Sequence, residues 1–325
     1  MRQLTYKQAI NLAIVDAMED DEDVFLIGED VAAAGGAFKT TEGLLERFGA
    51  RRVLDTPISE QAIIGTAIGA AAQGLRPLAE IMFADFAGVC FDQIANELAK
   101  YRYMTGGQVA TPVTIRMANG AGTGFGAQHS QAVENWFLNI PGLKIAVPGT
   151  PADAYGLLRA AIHDPDPVLY FEHKALFNRS GDLAEKPELV PLGQADVARP
   201  GSDVTVVATQ LMRHRALEAA ERLATDGIQA EVIDPRCLCP LDLRTIADSV
   251  ARTHRLVVVQ EAPISGSWGA TVAAAILQEG FELLDSPPLI VAADDTPVPY
   301  AGLLEEAWMP DSDRIAAAVR KTVEY

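Results

Sequence analysis

Apolar and polar positions change period repeatedly along the chain, and these changes predict alternating strands and helices. Short apolar runs typical of buried strands lie at 24–28, 53–56, 77–83, 113–117, 144–147 and 168–172. Between them, apolar residues recur at helical spacing, which predicts helices over 5–19, 60–73, 88–103, 131–139 and 151–163. Thr5 stands where it can cap the first helix. The rhythm predicts a parallel sheet with helices on both faces.

Residues 173–202 interrupt this rhythm. They hold several prolines and glycines and little periodicity, so they are predicted to connect two domains. A second series follows, with predicted strands at 203–209, 230–234, 255–261 and 289–293 and helices at 213–226, 242–253, 268–279 and 312–324. The sequence therefore predicts two α/β domains, 1–185 and 203–325, joined by a linker over 186–202.

Length and charge narrow the function classes. A chain of 325 residues with 49% hydrophobic residues can bury a sizeable core, and the length suits about two domains. A net charge of −18 argues against nucleic acid as a partner and against a polybasic membrane anchor. The longest small-apolar run, 62–72, is shorter than the roughly 20 residues that a membrane helix needs.

The cysteines and the N-terminal residues favour an intracellular protein. Three sparse cysteines, Cys90, Cys237 and Cys239, are typical of reduced thiols, and no neighbouring histidine or second pair suggests zinc. The segment MRQLTYKQAINLA lacks the apolar stretch of a signal peptide. We therefore expect a soluble cytoplasmic protein.

A glycine-rich loop, ANGAGTGFGAQHSQ, covers residues 118–131. Alternate glycines allow positive φ and a close approach of backbone to a ligand. The spacing G-x-G-x-G-x-G is not the dinucleotide fingerprint G-x-G-x-x-G, so NAD is not expected here. A flexible surface loop is one interpretation. A ligand-facing loop is the other, because the loop leads to His129, one of five histidines.

Titratable residues follow several predicted strands. His129 lies in the loop after the strand at 113–117, and Glu29 comes directly after the strand at 24–28. Glu60 and Asp85 lie close behind two others. Active sites in open α/β sheets collect beyond the carboxyl ends of strands, so these groups are expected to converge there. No nucleophile elbow, P-loop or H-E-x-x-H motif is present.

Glu60 stands before an almost wholly apolar stretch, AIIGTAIGAAAQG. Two interpretations are open. Ser59 can cap the helix while Glu60 favours its dipole. Alternatively, the carboxyl group is meant to be buried, where such a group can share a proton with a weak base.

Several long motifs occur in one order, and they resemble a known family. They are GEDV (28–31), FKTTEGL (38–44), RVLDTPISE (52–60), GLRPLAEIMFADF (74–86), DQIANELAKYRYMTGG (92–107), AQHSQ (127–131), PGLKIAVPGTPADAYGLL (141–158), PLD (240–242) and TPVPY (296–300). The chain resembles the β subunit of the thiamine-diphosphate-dependent E1 component of 2-oxo acid dehydrogenase complexes. The acetoin dehydrogenase β subunit is a close relative. The resemblance covers nearly the whole chain and implies a pyrimidine-binding domain followed by a transketolase-type C-terminal domain.

The resemblance also implies roles for individual residues. Glu60 matches the glutamate that hydrogen-bonds N1′ of the aminopyrimidine, and Glu29 matches a second acid near that ring. Phe86 matches the aromatic residue that packs on the pyrimidine, although it also fits an ordinary core position. His129 matches the histidine proposed to bind the substrate carboxylate and to assist transfer to the lipoyl group of E2.

Partners follow from the same resemblance. In the family, the α subunit holds the diphosphate and its Mg²⁺ through a GDG motif, and the only Gly-Asp here is Gly181-Asp182. We therefore expect an α2β2 heterotetramer with thiamine diphosphate between two chains. The C-terminal domain of this chain would bind the E2 dihydrolipoyl acyltransferase. Gly65 and Gly69 leave one face of the predicted helix at 60–73 almost without side chains, and this bare face is expected to contact the α subunit.

The resemblance implies a structural potassium site as well. The matching positions are Val113, Ala161, Ile162, Asp164 and Asp166. Most ligands would be backbone carbonyls, so the sequence specifies the site weakly. Asp166 stands where relatives often have asparagine.

The expected function is therefore oxidative decarboxylation of a 2-oxo acid, pyruvate or branched-chain, with acyl transfer to lipoyl-E2. One alternative is an acetoin dehydrogenase β subunit, because DFAGVCFDQI and TPVPY resemble that branch. The other alternative is a non-catalytic β-like subunit that acts as a scaffold. The presence of Glu60 and His129 favours catalysis over the scaffold.

Overall fold

The computed structural model describes all residues, 1–325, as two compact units. The first unit comprises 1–119 and 136–192, and the second comprises 120–135 and 193–325. The segment 120–135 thus groups with the second unit, and the domain boundaries predicted above stay a prediction. None of the helices combines the length and the apolar character needed to cross a membrane.

The first unit is built on a parallel sheet. The strands of this unit, inside and outside that sheet, are β1 (Arg2–Thr5), β2 (Val24–Gly28), β3 (Val53–Asp55), β4 (Arg76–Ile81), β5 (Thr114–Asn119), β6 (Lys144–Ala146), β7 (Val168–His173) and β8 (Ser180–Leu183). Its helices are α1 (Tyr6–Asp20), α2 (Leu44–Phe48), α3 (Glu60–Ala72), α4 (Ala99–Met104) and α5 (Pro151–His163). Six strands run parallel in the order β6-β7-β5-β4-β2-β3. Their carboxyl ends therefore share one edge, as the alternating pattern predicts.

The central strands are buried along their whole length. Every residue of β2, β5 and β7 is buried, which explains why these segments read as continuous apolar runs. Helix α1 packs against α5. Thr5 caps α1 through a capping box with Gln8, so the predicted cap is confirmed.

Three features of the first unit differ from the sequence predictions. The helix predicted over 88–103 is broken into a 3₁₀ turn at Ala84–Gly88, a π-helix at Gln93–Leu98 and then α4. The helix predicted over 131–139 is wrong, since only a 3₁₀ turn at Glu134–Phe137 forms there. Strands β1 and β8 were not predicted, because each has only four residues and they pair across the unit, Gln3 opposite Asp182.

The second unit is a smaller α/β fold. Its strands are β9 (Asp196–Arg199), β10 (Val204–Ala208), β11 (Ala230–Asp234), β12 (Cys237–Cys239), β13 (Leu256–Val259) and β14 (Leu289–Val291). Its helices are α6 (Gln210–Thr225), α7 (Leu243–Thr253), α8 (Trp268–Gly280), α9 (Gly302–Trp308) and α10 (Ser312–Val323). The sheet order is β14-β13-β10-β11-β9, and only β9 runs antiparallel.

The core of the second unit lies between this sheet and the pair α6 and α10. Side chains of β10, β11 and β13 meet Ala216, Ala219 and Val319 there. Strand β9 lies inside the stretch predicted as an irregular connection, and α9 was not predicted. Both are short, four and seven residues, so neither contains enough repeats of its period to be recognised in the sequence.

Candidate active site

Glu60 is the first residue of α3 and is only 9% exposed. Ser59 takes the N-cap position of this helix, as one interpretation expects, but its side chain makes no capping hydrogen bond. Although the residue is largely buried, its carboxyl oxygens are not among the fully buried polar atoms that lack a partner. The local geometry therefore places a largely buried acid at the start of the helix, as the second interpretation expects.

A second acid, Glu29, follows β2 at the same edge of the sheet. Its pKa is raised by burial first, then by the negative charges of Asp30 and Glu60. The charge of Glu60 also reaches Cys90, whose pKa is raised to about 12 by burial and then by that charge. The structure therefore brings Glu29, Glu60 and Cys90 into one electrostatic neighbourhood, and two of the predicted site residues lie together.

Phe86 lies in the 3₁₀ turn Ala84–Gly88 and is half-buried. Its ring meets Phe83 edge-on, with centroids 6.0 Å apart and planes at 84°. Its carbonyl oxygen accepts a long hydrogen bond from the thiol of Cys90, at 3.8 Å. The charge of Glu60 raises the pKa of that thiol, so Phe86 belongs to the same neighbourhood.

The loop after β2, residues 29–43, is held by a set of local hydrogen bonds. The Asp55 carboxylate, at the end of β3, accepts from the backbone N–H of Ala32 at 2.7 Å. The Thr41 hydroxyl donates to the carbonyl of Val31 at 2.8 Å. Glu29 therefore begins a loop whose path is fixed by neighbouring strands rather than left free.

A buried charge cluster lies beneath this loop, and no sequence motif predicts it. Arg116 on β5 donates to both carboxylate oxygens of Glu172 on β7, at 2.6 and 3.0 Å, and to Glu80 on β4 at 2.7 Å. It also donates to the hydroxyl of Thr40 in the loop, at 3.0 Å. Register pairing puts Glu80 opposite both Gly28 and Arg116, one residue from Glu29.

Burial and ion pairing shift the pKa values of Glu172 and Arg116 in opposite directions. Burial raises the pKa of Glu172 to about 7, although Arg116 opposes the rise. Burial alone would lower the pKa of Arg116, but the two carboxylates raise it. The cluster holds two acids and one base, and the raised pKa of Glu172 allows this acid to keep a proton near neutral pH.

In the second unit, the glycine-rich loop has a defined shape. Positive φ angles of 85°, 89°, 75° and 73° occur at Gly120, Gly122, Gly124 and Gly126, in that order. Its backbone N–H groups point at two carboxylates: Ala121 donates to Glu261 at 2.6 Å, and Gly122 donates to Glu305 at 2.8 Å. A loop of this kind binds anions through its N–H groups, and here the protein's own acids take that role.

His129 belongs to the second unit and is half-buried. Its backbone N–H donates to the carbonyl of Gly126 at 3.3 Å, and Gly120 donates to Gln131 at 3.2 Å. The loop is thus closed on both sides of the histidine. Glu29, Glu60 and Phe86 belong to the first unit.

The predicted potassium ligands all have partners within the chain. Lys144 donates to both carboxylate oxygens of Asp164 at 2.7 Å, and Arg102 pairs with Asp166. Each predicted carbonyl also accepts one hydrogen bond, Val113 from Val168, Ala161 from Asp164 and Ile162 from Arg76. The Lys144 ammonium already neutralises the Asp164 carboxylate, and the potassium site stays a prediction.

Comparison with known proteins assigns both halves of the chain. Residues 2–179 match the transketolase pyrimidine-binding domain, and residues 193–315 match the transketolase C-terminal domain. The chain is 47% identical to the acetoin:2,6-dichlorophenolindophenol oxidoreductase subunit beta of Bacillus subtilis, over 97% of this chain and 96% of that one. It is 45% identical, over 100% of both chains, to the 2-oxoisovalerate dehydrogenase subunit beta of the same organism.

Two further matches agree. The pyruvate dehydrogenase E1 component subunit beta of Rhizobium meliloti is 43% identical over 98% of this chain and 70% of that one. Among solved structures, a split gene transketolase, described as an inactive beta4 tetramer, superposes with a TM-score of 0.81. It is 26% identical and covers 99% of this chain and 98% of its own. The predicted two-domain α/β fold of the transketolase type is therefore confirmed.

Proposed function

The chain belongs to the family of β subunits of thiamine-diphosphate-dependent E1 components of 2-oxo acid dehydrogenase complexes, and on this premise we propose that it is a catalytic β subunit. It would act with an α subunit to decarboxylate a 2-oxo acid oxidatively and pass the acyl group to lipoyl-E2. Family membership supports dependence on thiamine diphosphate. The residue roles, the substrate and the partners are proposals.

One observation carries the proposal, namely that Glu60, a largely buried acid at the start of α3, lies close enough to Glu29 for their charges to interact. The two acids follow the neighbouring parallel strands β3 and β2, at the sheet edge where ligands bind in open α/β sheets. A ring nitrogen that binds there would supply a hydrogen-bond partner for the Glu60 carboxyl group. The small, exposed surface of α3 beside it leaves space for that ring and for a second chain.

The residues around Glu60 suit an aminopyrimidine. Glu60 would hold or release a proton at N1′, and Phe86 would pack on the ring with its uncovered part. Glu29, close enough for its charge to interact with that of Glu60, would act through water or backbone contacts. When bound, thiamine diphosphate supplies the nucleophilic carbon and the electron sink for decarboxylation. Its diphosphate and Mg²⁺ would be held by the α subunit.

His129 would bind the substrate carboxylate and assist acyl transfer to the lipoyl group. An imidazole suits both tasks because it can carry charge and move protons near neutral pH. The closed glycine-rich loop supports this role, since it fixes the backbone on which the imidazole is mounted.

The bare face of α3 supports an α-subunit interface. A Cβ atom added at Gly65 or Gly69 would meet nothing within 4 Å in this chain. Large apolar side chains of the same unit are exposed as well, including Ile58 at 75% and Tyr103 at 88%. Exposed apolar surface of this kind marks protein interfaces. The E2 acyltransferase would dock on the C-terminal domain.

Acetoin cleavage is the second candidate reaction. Two relatives named acetoin oxidoreductase subunits are 47% identical, against 45% for the 2-oxoisovalerate and 43% for a pyruvate dehydrogenase relative. All three groups match this chain over nearly its full length, so we infer that the identity of the substrate depends on the pocket that the α subunit completes.

The test is to co-express this chain with its α partner and to assay pyruvate, branched-chain 2-oxo acids and acetoin with an artificial electron acceptor. We expect turnover of one substrate class that requires added thiamine diphosphate. Glu60→Gln should abolish turnover while the tetramer stays assembled, because an amide cannot exchange a proton with the ring.

Glu46→Gln is the matched control, since Glu46 is also a first-turn acid but is exposed on α2. It should leave the rate unchanged. Wild-type rates for Glu60→Gln would overturn the proposed role. A tetramer without activity on any of the three substrate classes would favour the scaffold alternative.

A further inference from the structure

Glu305 is a buried acid with an unusual set of partners. It lies on α9, is 4% exposed, and its two carboxylate oxygens accept hydrogen bonds only from backbone N–H groups of the glycine-rich loop. Gly122 donates at 2.8 Å, and Gly124 donates to both oxygens, at 3.0 and 3.3 Å. No basic side chain pairs with Glu305, so the backbone N–H groups of the loop alone bind this buried carboxylate.

Glu261 makes a similar contact from another direction. It follows β13, is 6% exposed, and accepts from the N–H of Ala121 at 2.6 Å. Hydrogen bonds to an ionised acceptor are short and about twice as strong as neutral ones. The loop is therefore held from two separate elements of the second unit by charge-assisted bonds from three donors, Ala121, Gly122 and Gly124.

The conformation of the loop explains why such a clamp is needed. Its four glycines have φ between 73° and 89°, and glycine loses more conformational freedom on ordering than any other residue. Apolar packing adds support, because Ala121 joins a small core with Trp308 and Met309, and the ring of Tyr300 covers Gly126. Three residues after Gly126 comes His129.

We propose that Glu305, with Glu261, is a positioning clamp that holds the glycine-rich loop in shape and thereby fixes where His129 stands. The inference rests on the proposed function as far as the role of His129 is concerned. The clamp itself requires neither cofactor nor partner, since every contact lies within the second unit. The loop is accordingly preorganised in the free chain before assembly.

Hydrogen exchange on the free chain tests the clamp directly. Glu305→Gln keeps the size of the side chain but removes its charge and one acceptor. Because a hydrogen bond to a charged group contributes about 1.5–3 kcal/mol, we expect exchange in 120–131 to quicken about 10- to 100-fold. Exchange in β10 serves as the folding control and should not change. Glu261→Gln should act in the same direction if Glu305→Gln proves poorly soluble.

Glu306→Gln is the matched control, because Glu306 is the next residue of α9, 62% exposed and paired with Arg215. It should leave loop exchange within about twofold of wild type, since exposed pairs contribute little. Equal exchange in Glu305→Gln and Glu306→Gln would overturn the clamp.

A double-mutant cycle in the assembled enzyme tests the link to His129. Glu305→Gln should lower kcat for overall lipoyl-E2 acylation at least tenfold with KM for the 2-oxo acid little changed, and it should have no further effect when His129→Ala is present. The same fold-loss in the His129→Ala background would refute positioning through His129. If His129→Ala alone has no effect, the proposed role of His129 fails, and loop exchange still decides the clamp.

Discussion

Replacing Arg116 by methionine should destabilise the first unit severely. The change removes four hydrogen bonds, three to the carboxylates of Glu80 and Glu172 and one to Thr40, and leaves two acids buried without a cation. Breaking a buried ion pair by deleting one partner costs about 3–5 kcal/mol. The cost does not follow from lost packing, since methionine fills most of the volume of the arginine stem.

The cost should also depend on pH. The pKa of Glu172 is raised by burial to about 7, above its usual 4.5, so the folded state keeps a proton that the unfolded state releases between these values. Stability from this group therefore falls as pH rises through that window. Without Arg116, which holds the pKa of Glu172 down, the window extends further upward. We expect a larger penalty at pH 8 than at pH 5.

Hydrogen exchange of the β5 amides measures this cost within one unit. A loss of about 4 kcal/mol corresponds to roughly a thousandfold faster exchange through unfolding. Amides of β10 in the second unit are the internal reference. Arg102→Met is the matched control, because Arg102 pairs with Asp166 at the surface with 44% and 33% exposure, and such a pair contributes about 0–1 kcal/mol. Equal exchange in the two variants, or no pH dependence, would refute the reasoning.

Three further predictions concern other parts of the molecule. Gly69→Leu should prevent assembly with the α subunit, which light scattering would measure. The melting temperature of the free chain should not change, because a Cβ atom at this position meets nothing within 4 Å. An intact tetramer would contradict the prediction. Replacing Na⁺ by K⁺ should raise the melting temperature, and Lys144→Met should enlarge this response because it removes the ammonium that neutralises the nearby Asp164 carboxylate. No response to K⁺ in either protein would count against the site. Cys90, whose pKa is raised to about 12, should resist iodoacetamide at pH 8 in the folded chain and react after denaturation; rapid modification of the native protein would count against its burial.

The sequence predicted most of the first unit because its strands are long and buried on both faces. Strands β2, β5 and β7 read as apolar runs, and Thr5 and Gln8 form a recognisable cap. The spacing of apolar residues alone did not predict the elements that are short or irregular. The stretch 88–103 has helical spacing throughout, but that spacing does not distinguish an α-helix from the π-helix at Gln93–Leu98.

Site residues could be predicted where they directly follow the end of a strand. They could not be predicted where their role depends on contacts between segments that are distant in the sequence. Glu29 and Glu60 were expected together from their positions, and their charges do interact. Glu305 gave no signal, because a single acid in a short helix looks like any exposed residue. Its importance arises from a contact with Gly122, 183 residues earlier in the chain. Arg116 was hidden in the same way inside an apolar strand.

The pairing of β1 with β8 has a consequence for how the chain is made. Gln3 bonds to Asp182, 179 residues later, so β1 has no partner until that segment leaves the ribosome. At about 5–20 residues per second, the wait is roughly 10–35 s. During it, α1 also lacks α5, and its apolar face is exposed to solvent. Nascent chains arrested before residue 180 should therefore bind chaperones through their first helix, and longer ones should release them.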